Sequence, residues 1–219
     1  DLKEIKEGTA VYTKNGEEDT LDGDAILLAT GRGPNTEGLH AERAGVELTK
    51  RGAVVTDKHL RTTAENIWAA GDVCGNLQFT YISLDDSRII LSDMQGDGSR
   101  TTENRGAFAY SVFMEPSFSR AGLSEKEAAD KGLNYRVVRM NTDMIPKAKV
   151  LRKTTGMLKA VIDKDSGKIL GAALFCPESY EIINMVKLAM DHDLDYTVLR
   201  DFIYTHPTMS EGLNDLFAL

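Results

Sequence analysis

The stretch Asp24-Ala25-Ile26-Leu27-Leu28-Ala29-Thr30 constrains the fold more than any other. It is a continuous apolar run halted at Gly31. A run without alternation suits a strand buried on both faces of a parallel sheet. A second short run, Asn66-Ile67-Trp68-Ala69-Ala70, halts in the same way at Gly71-Asp72. Together they predict an α/β arrangement for the first part of the chain. Around them, residues 9–14 read as a strand, Asn15-Gly16 as a hairpin turn, and Val54-Val55 as the start of another strand. Residues 32–50 read as a loop with one short helix. Residues 81–95 read as a helix with Ile82, Ile89, Ile90 and Met94 as buried positions.

The pattern changes after residues 96–106, a polar, Gly-rich stretch. Ala107 to Met114 reads as a strand, and Ser124 with Glu127 as a capping box for a helix ending near Gly132. Tyr135 to Met140 is a further strand. Met157–Ile162 and Lys168–Phe175 form a hairpin around the turn at 163–167. Glu178 to His192 carries Ile182, Ile183, Val186 and Met190 at helical spacing, and residues 197–203 suggest a last short helix. This second half reads as an α+β layer. The domain expectation is 1–103 and 104–219.

Composition narrows the function. The 219 residues carry a net charge of -8, which argues against DNA or RNA as a partner. No run approaches the roughly 20 apolar residues of a membrane span. Two distant cysteines, Cys74 and Cys176, give no disulfide framework and fit a reducing, cytoplasmic compartment. With the scattered histidines His40, His59, His192 and His206 they form no zinc pattern. Both thiols, and Met140, Met144, Met185 and Met190, read as core filler. The chain begins without Met, which reads as processing or as a cut from something longer.

Three places carry chemistry. In open α/β sheets, ligands bind at the carboxyl ends of strands. Gly31-Arg32-Gly33-Pro34-Asn35 and Gly71-Asp72 both follow such ends. A glycine lets backbone approach a ligand, and a carboxylate beside it accepts hydroxyl hydrogen bonds. Plain strand-to-loop turns would carry the same residues. The helix opening near Thr80-Tyr81 offers N–H groups and partial positive charge to an anion or an electron-rich ring edge, although Thr80 also reads as an ordinary cap. Finally, Tyr204-Thr205-His206-Pro207-Thr208-Met209-Ser210-Glu211 places Glu211 within reach of His206 if a helix begins at Thr208. A carboxylate partner orients an imidazole for acid/base work. Thr208 and Glu211 would equally form a capping box.

Taken together, residues 24–35 (DAILLATGRGPN), 63–73 (TAENIWAAGDV) and 205–211 (THPTMSE) resemble the flavin-dependent pyridine nucleotide–disulfide oxidoreductases. The resemblance runs along the whole chain and covers the C-terminal half of a family member. It implies the end of an NAD(P) domain to about Arg32, the returning part of an FAD domain to about residue 100, and then a dimerisation domain. Asp72, after Gly71, would bind the FAD ribityl chain. Thr80 and Tyr81 would face the flavin pyrimidine edge. His206, held by Glu211, would act across a homodimer as acid/base for a thiol, and the carbonyl beside Pro207 would meet the partner's flavin. Electrons would pass from NAD(P)H through FAD and a Cys pair to a small oxidised substrate. The Gly-rich loops and CxxxxC pair are expected upstream, so the chain alone is expected to be inactive. Residues 79–86, 175–179 and 213–217 look most like a bacterial, mercuric-reductase-like branch linked to reactive chlorine and hypothiocyanous acid defence. Asn214–Leu219 lacks the cysteines of mercuric reductase itself. The alternative is a dimerisation or interaction module without chemistry of its own.

Overall fold

In the computed structural model, which describes residues 1–219, the chain divides into two units, Asp1–Gln95 and Gly96–Leu219. The first opens with an antiparallel sheet of β1 (Leu2–Lys6), β2 (Thr9–Lys14) and β3 (Glu17–Asp22) in that order. Asn15 and Gly16, both at positive φ, form the predicted turn, and Lys14 pairs with Glu17 across it. A 3-10 turn at Ala41–Ala44 is the short helix expected within 32–50, and another spans Gly71–Cys74. The unit ends in α1 (Thr80–Gln95).

The two apolar runs depart from the sequence reading. Residues 25–30 form no strand, and Leu27 is 89% exposed. A strand of this type needs neighbours on both edges and cover on both faces, and this run has no ladder partner here. Residues 66–70 contribute one isolated bridge, Trp68 to Arg61, and Val54 pairs only with Leu48. Other backbone hydrogen bonds there join separate stretches without building a ladder, such as the Val54 amide to Val73 O at 2.9 Å and the Ala69 amide to Leu60 O at 3.0 Å. Along α1, Ile89 is fully buried, Ile82 and Ile90 are partly buried, and Met94 is exposed. Two aspartates, Asp85 and Asp86, are also buried on α1, at positions the sequence reading did not name.

The second unit is an antiparallel five-stranded sheet in the order β4-β5-β8-β7-β6. Its strands are β4 (Ala109–Val112), β5 (Phe118–Gly122), β6 (Tyr135–Asn141), β7 (Met157–Asp163) and β8 (Ile169–Phe175). The helices are α2 (Glu125–Asp130), α3 (Pro146–Leu151), α4 (Ser179–Asp191), α5 (Thr197–Arg200) and α6 (Gly212–Ala218). The β7–β8 turn is organised by Asp163, whose carboxylate accepts from the amides of Asp165 and Ser166 at 3.0 and 2.8 Å. This is the local side-chain mimicry that makes Asp a turn residue. Ser124 caps α2 with Glu127 in a complete capping box.

Alternation along β7 and β8 turns Leu158, Ala160, Ile162, Ala172 and Leu174 to one face, where α4 and α6 pack. Ile182, Ile183 and Val186 of α4 enter this core, as their spacing predicts. Met140 is buried and Met185 and Met190 lie against the core, whereas Met144 is half exposed. The mixed architecture agrees with the fold class read from the sequence.

Candidate functional site

In the first unit, Gly71 has φ +75°, and a Cβ there would lie 2.8 Å from Ser83 Oγ. Glycine is therefore what lets this turn sit against α1. Its N–H donates to the Asp86 carboxylate at 2.8 Å. A buried acid on α1 thus ties the turn carrying Asp72 to the helix carrying Thr80. The sequence reading missed Asp86. The available signal was an acid at a position where helical spacing calls for an apolar residue.

Asp72 keeps its carboxylate partly exposed and pairs with Arg32 at 2.6 Å. Thr80 and Tyr81 are the first two residues of α1 and are exposed. Thr80 does not cap the helix, because the amides of Ile82 and Ser83 donate to the carbonyl of Phe79, the residue before it. Amides at these first positions have no intrahelical acceptor, and α1 has no acidic residue in its first turn. The helix start therefore keeps its partial positive charge available to an electron-rich group. The structure thus brings Gly71 and Asp72 against α1, the helix that opens with Thr80 and Tyr81.

In the second unit, His206 Nδ1 lies 2.9 Å from Glu211 Oε2. The imidazole is 69% exposed, whereas the Glu211 side chain is 13% exposed. With its proton on Nδ1, the ring donates to the carboxylate and presents Nε2 as a base. Glu211 Oε1 is buried without a partner, so the carboxylate is aimed wholly at the ring. The helix does not begin at Thr208 as the spacing suggested; α6 begins at Gly212. Thr208 still accepts from the Glu211 amide at 3.3 Å and donates to Thr205 O at 2.8 Å. Only half of a capping box forms, because the Glu211 carboxylate turns to His206. Pro207 follows His206 through a cis peptide bond.

Neither cysteine is placed for thiol chemistry. Burial, with the nearby Glu178 charge, pushes the Cys176 thiol up to about 12, and Cys74 is also buried. A thiol without thiolate character is a poor nucleophile. Burial similarly pushes the Tyr204 phenol up to about 12.

Residues 108–217 match the family model for the pyridine nucleotide-disulphide oxidoreductase dimerisation domain. Residues 1–87 match the model for pyridine nucleotide-disulphide oxidoreductase. The chain belongs to the pyridine nucleotide-disulphide oxidoreductase family. Within this family, it is 53% identical over 196 residues to the probable pyridine nucleotide-disulfide oxidoreductase RclA of Escherichia coli K12, covering 90% of this chain and 44% of that one. It is 35% identical to a mercuric reductase of Staphylococcus aureus, covering 94% of this chain and 38% of that one. The solved structure of the HOCl-induced flavoprotein disulfide reductase RclA from Escherichia coli superposes with a TM-score of 0.89 at 49% identity, covering 98% of this chain and 49% of that chain. The chain thus spans less than half the length of these pyridine nucleotide-disulphide oxidoreductases.

Proposed function

We propose that the chain forms part of a flavin-dependent disulfide oxidoreductase, in which His206 is the acid/base and Glu211 its orienting partner. The observation that carries this reading is the 2.9 Å pair between a largely buried carboxylate and an exposed imidazole. That arrangement fixes the ring while leaving Nε2 open to take or give a proton. Bound FAD would supply acceptance of a hydride from NAD(P)H and delivery of electrons to a cysteine pair. Asp72 would accept hydrogen bonds from hydroxyls of the cofactor chain, with Gly71 allowing close approach. Thr80 and Tyr81 would present the helix start to its electron-rich edge. The carbonyl of His206, beside Pro207, would face the flavin of the other subunit.

The proposal includes a homodimer, a small oxidised or disulfide-like substrate and a cytoplasmic location. It sets the domain change at 103/104, inside the polar stretch 96–106; the structural units divide at 95/96. Kinship with a disulfide reductase and a mercuric reductase supports the reaction class.

The decisive experiment is His206→Ala in the full-length protein, assayed for NAD(P)H-dependent disulfide reduction. Turnover should fall by about 100- to 10,000-fold, the usual contribution of a positioned acid/base, with the dimer unchanged by size-exclusion chromatography. Unchanged turnover would reject the assignment and leave a module for assembly alone.

A further inference from the structure

The His206–Glu211 pair sits on a long loop, so something must hold its two arms at a fixed separation. His206 lies on the exposed segment after α5, where Ile203 is 93% exposed. Glu211 lies just before α6. Exposed segments of this kind sample several conformations unless their backbone groups are tied down.

The tie is Asn214. From the first turn of α6 its side-chain amide donates to three carbonyls of the opposite arm. These are Leu199 O at 3.1 Å, Arg200 O at 2.6 Å and Phe202 O at 3.0 Å. Two N–H bonds are thus shared among three acceptors. Leu199 and Arg200 are the last residues of α5, whose carbonyls have no intrahelical donor. Asn214 therefore caps one helix from the side of another. The Tyr204 hydroxyl adds a second donor to Leu199 O at 3.2 Å. The Asn214 amide N–H also bonds to Glu211 O at 3.0 Å. One residue thus grips both arms, and the dyad lies inside the loop it closes.

The loop is also held from below. Met209, between the two members of the dyad, is fully buried in the core. At Gly212 a Cβ would come within 2.7 Å of Ile145 Cδ1, so glycine lets this end of the loop settle against the residue that precedes α3 without displacing that side chain. These two contacts set the depth of the loop. Thr208 ties the arms locally, from Thr205 O to the Glu211 amide, and Asn214 spans the wider gap back to the end of α5.

The geometry points to Asn214 as a positioning residue for His206, holding the arm that carries the imidazole against the arm that carries Glu211. This inference rests on the proposed acid/base role of His206. Asn214 touches no reacting atom and acts only through the placement of the ring. Misplacement of a catalytic group by about 1 Å can cost on the order of 100-fold in rate, so loss of the bracket should reduce turnover well beyond any change in stability.

The test uses the full-length protein, NAD(P)H and a small aryl disulfide as the probe, with His206→Ala, Asn214→Ala and the double variant. Asn214→Ala should lower kcat by about 10- to 100-fold with KM for NAD(P)H unchanged. In the His206→Ala background, the same change should lower kcat no further, because it acts only through the ring. A further multiplicative fall in that background overturns the positioning role while leaving His206 catalytic. Full activity of Asn214→Ala, with His206→Ala impaired, overturns it as well. An unimpaired His206→Ala removes both readings at once. Should Asn214→Ala not fold, Asn214→Gln carries the test. It keeps the amide one methylene out of place, so an intermediate kcat that depends on His206 supports the bracket, and wild-type kcat refutes it.

Discussion

The two units bury their apolar residues in different ways. Residues 96–219 share one continuous core, running from Ala121 on β5 to Phe217 on α6. Residues 1–95 have two small clusters, Ala41 with Val46 and Val54, and Leu60 with Cys74 and Ile89. They also expose the most apolar run in their sequence, Ile26-Leu27-Leu28. The difference follows from closure. The antiparallel sheet of the second unit finds all its partners between residues 109 and 175, through hairpins such as β7–β8 and through the long return that sets β8 beside β5. A strand of the parallel, doubly covered type needs partners separated by long crossovers. The second unit carries its own partners, and the run at 25–30 does not. A site residue anchored in the second unit therefore rests on one continuous core, whereas Asp72 lies on a turn held by Asp86, by the Val54 amide on Val73 O and by small clusters around Val73 and Cys74.

Cavity substitutions test this contrast and carry the largest expected effect. Phe217→Ala removes a ring that is 1% exposed and packs in the main core. It should cost about 3–5 kcal/mol by denaturant unfolding. Leu60→Ala removes a side chain equally buried, but in a cluster of few members. Where surroundings can collapse into the space, the cost falls to the low end, about 2 kcal/mol. Trp68, the single tryptophan, reports the first unit by fluorescence. Equal losses for the two variants would erase the distinction between one core and two clusters.

A smaller effect concerns the cap of α2. Ser124→Ala should cost about 1 kcal/mol, the usual value of a lost N-cap. The cap also has a pH signature. Hydrogen bonds from the Ser124 hydroxyl and amide, with Arg120 nearby, lower the Glu127 carboxyl to about 2. Its folded value lies below its unfolded one. The stabilisation is therefore present above the ordinary glutamate value and is lost as pH falls toward about 2. Carbon-detected NMR titration of Glu127 should show this depression in the native chain. The value should move upward in Ser124→Ala. An identical titration in both would assign the shift to Arg120 instead.

Legibility in the sequence followed the same divide. The capping box, the Asp163 turn and the spacing of α4 are local signals, and each is satisfied by residues a few positions away. The His206–Glu211 pairing is local too, spanning five positions, although the helix expected at Thr208 starts four residues later. Asn214 was not legible, because its three acceptors lie 12 to 15 positions back and meet it only after α5 and α6 pack. Asp86 stands out as an acid at an apolar position of α1, but its contact with the amide of Gly71 was hidden for the same reason, because no side-chain pattern marks a backbone donor. The apolar run at 25–30 was legible as a type of strand, but sequence pattern cannot say whether the partners of that strand are at hand.

That run gives the smallest expected effect. Leu27 is 89% exposed, so Leu27→Ala removes almost no buried area in this chain. Its cost should stay within about 0.5 kcal/mol, the range of ordinary surface changes. The same substitution in a longer chain that pairs this run within a sheet would open a cavity. There it should cost about 2–5 kcal/mol. Denaturant midpoints of the two chains, each with and without the substitution, separate the cases. A large loss in the 219-residue chain would mean that the run is covered and that the contrast between the units is smaller than its exposure implies. A near-zero change in both would mean that these leucines face solvent in either setting, and that the run encodes no buried strand.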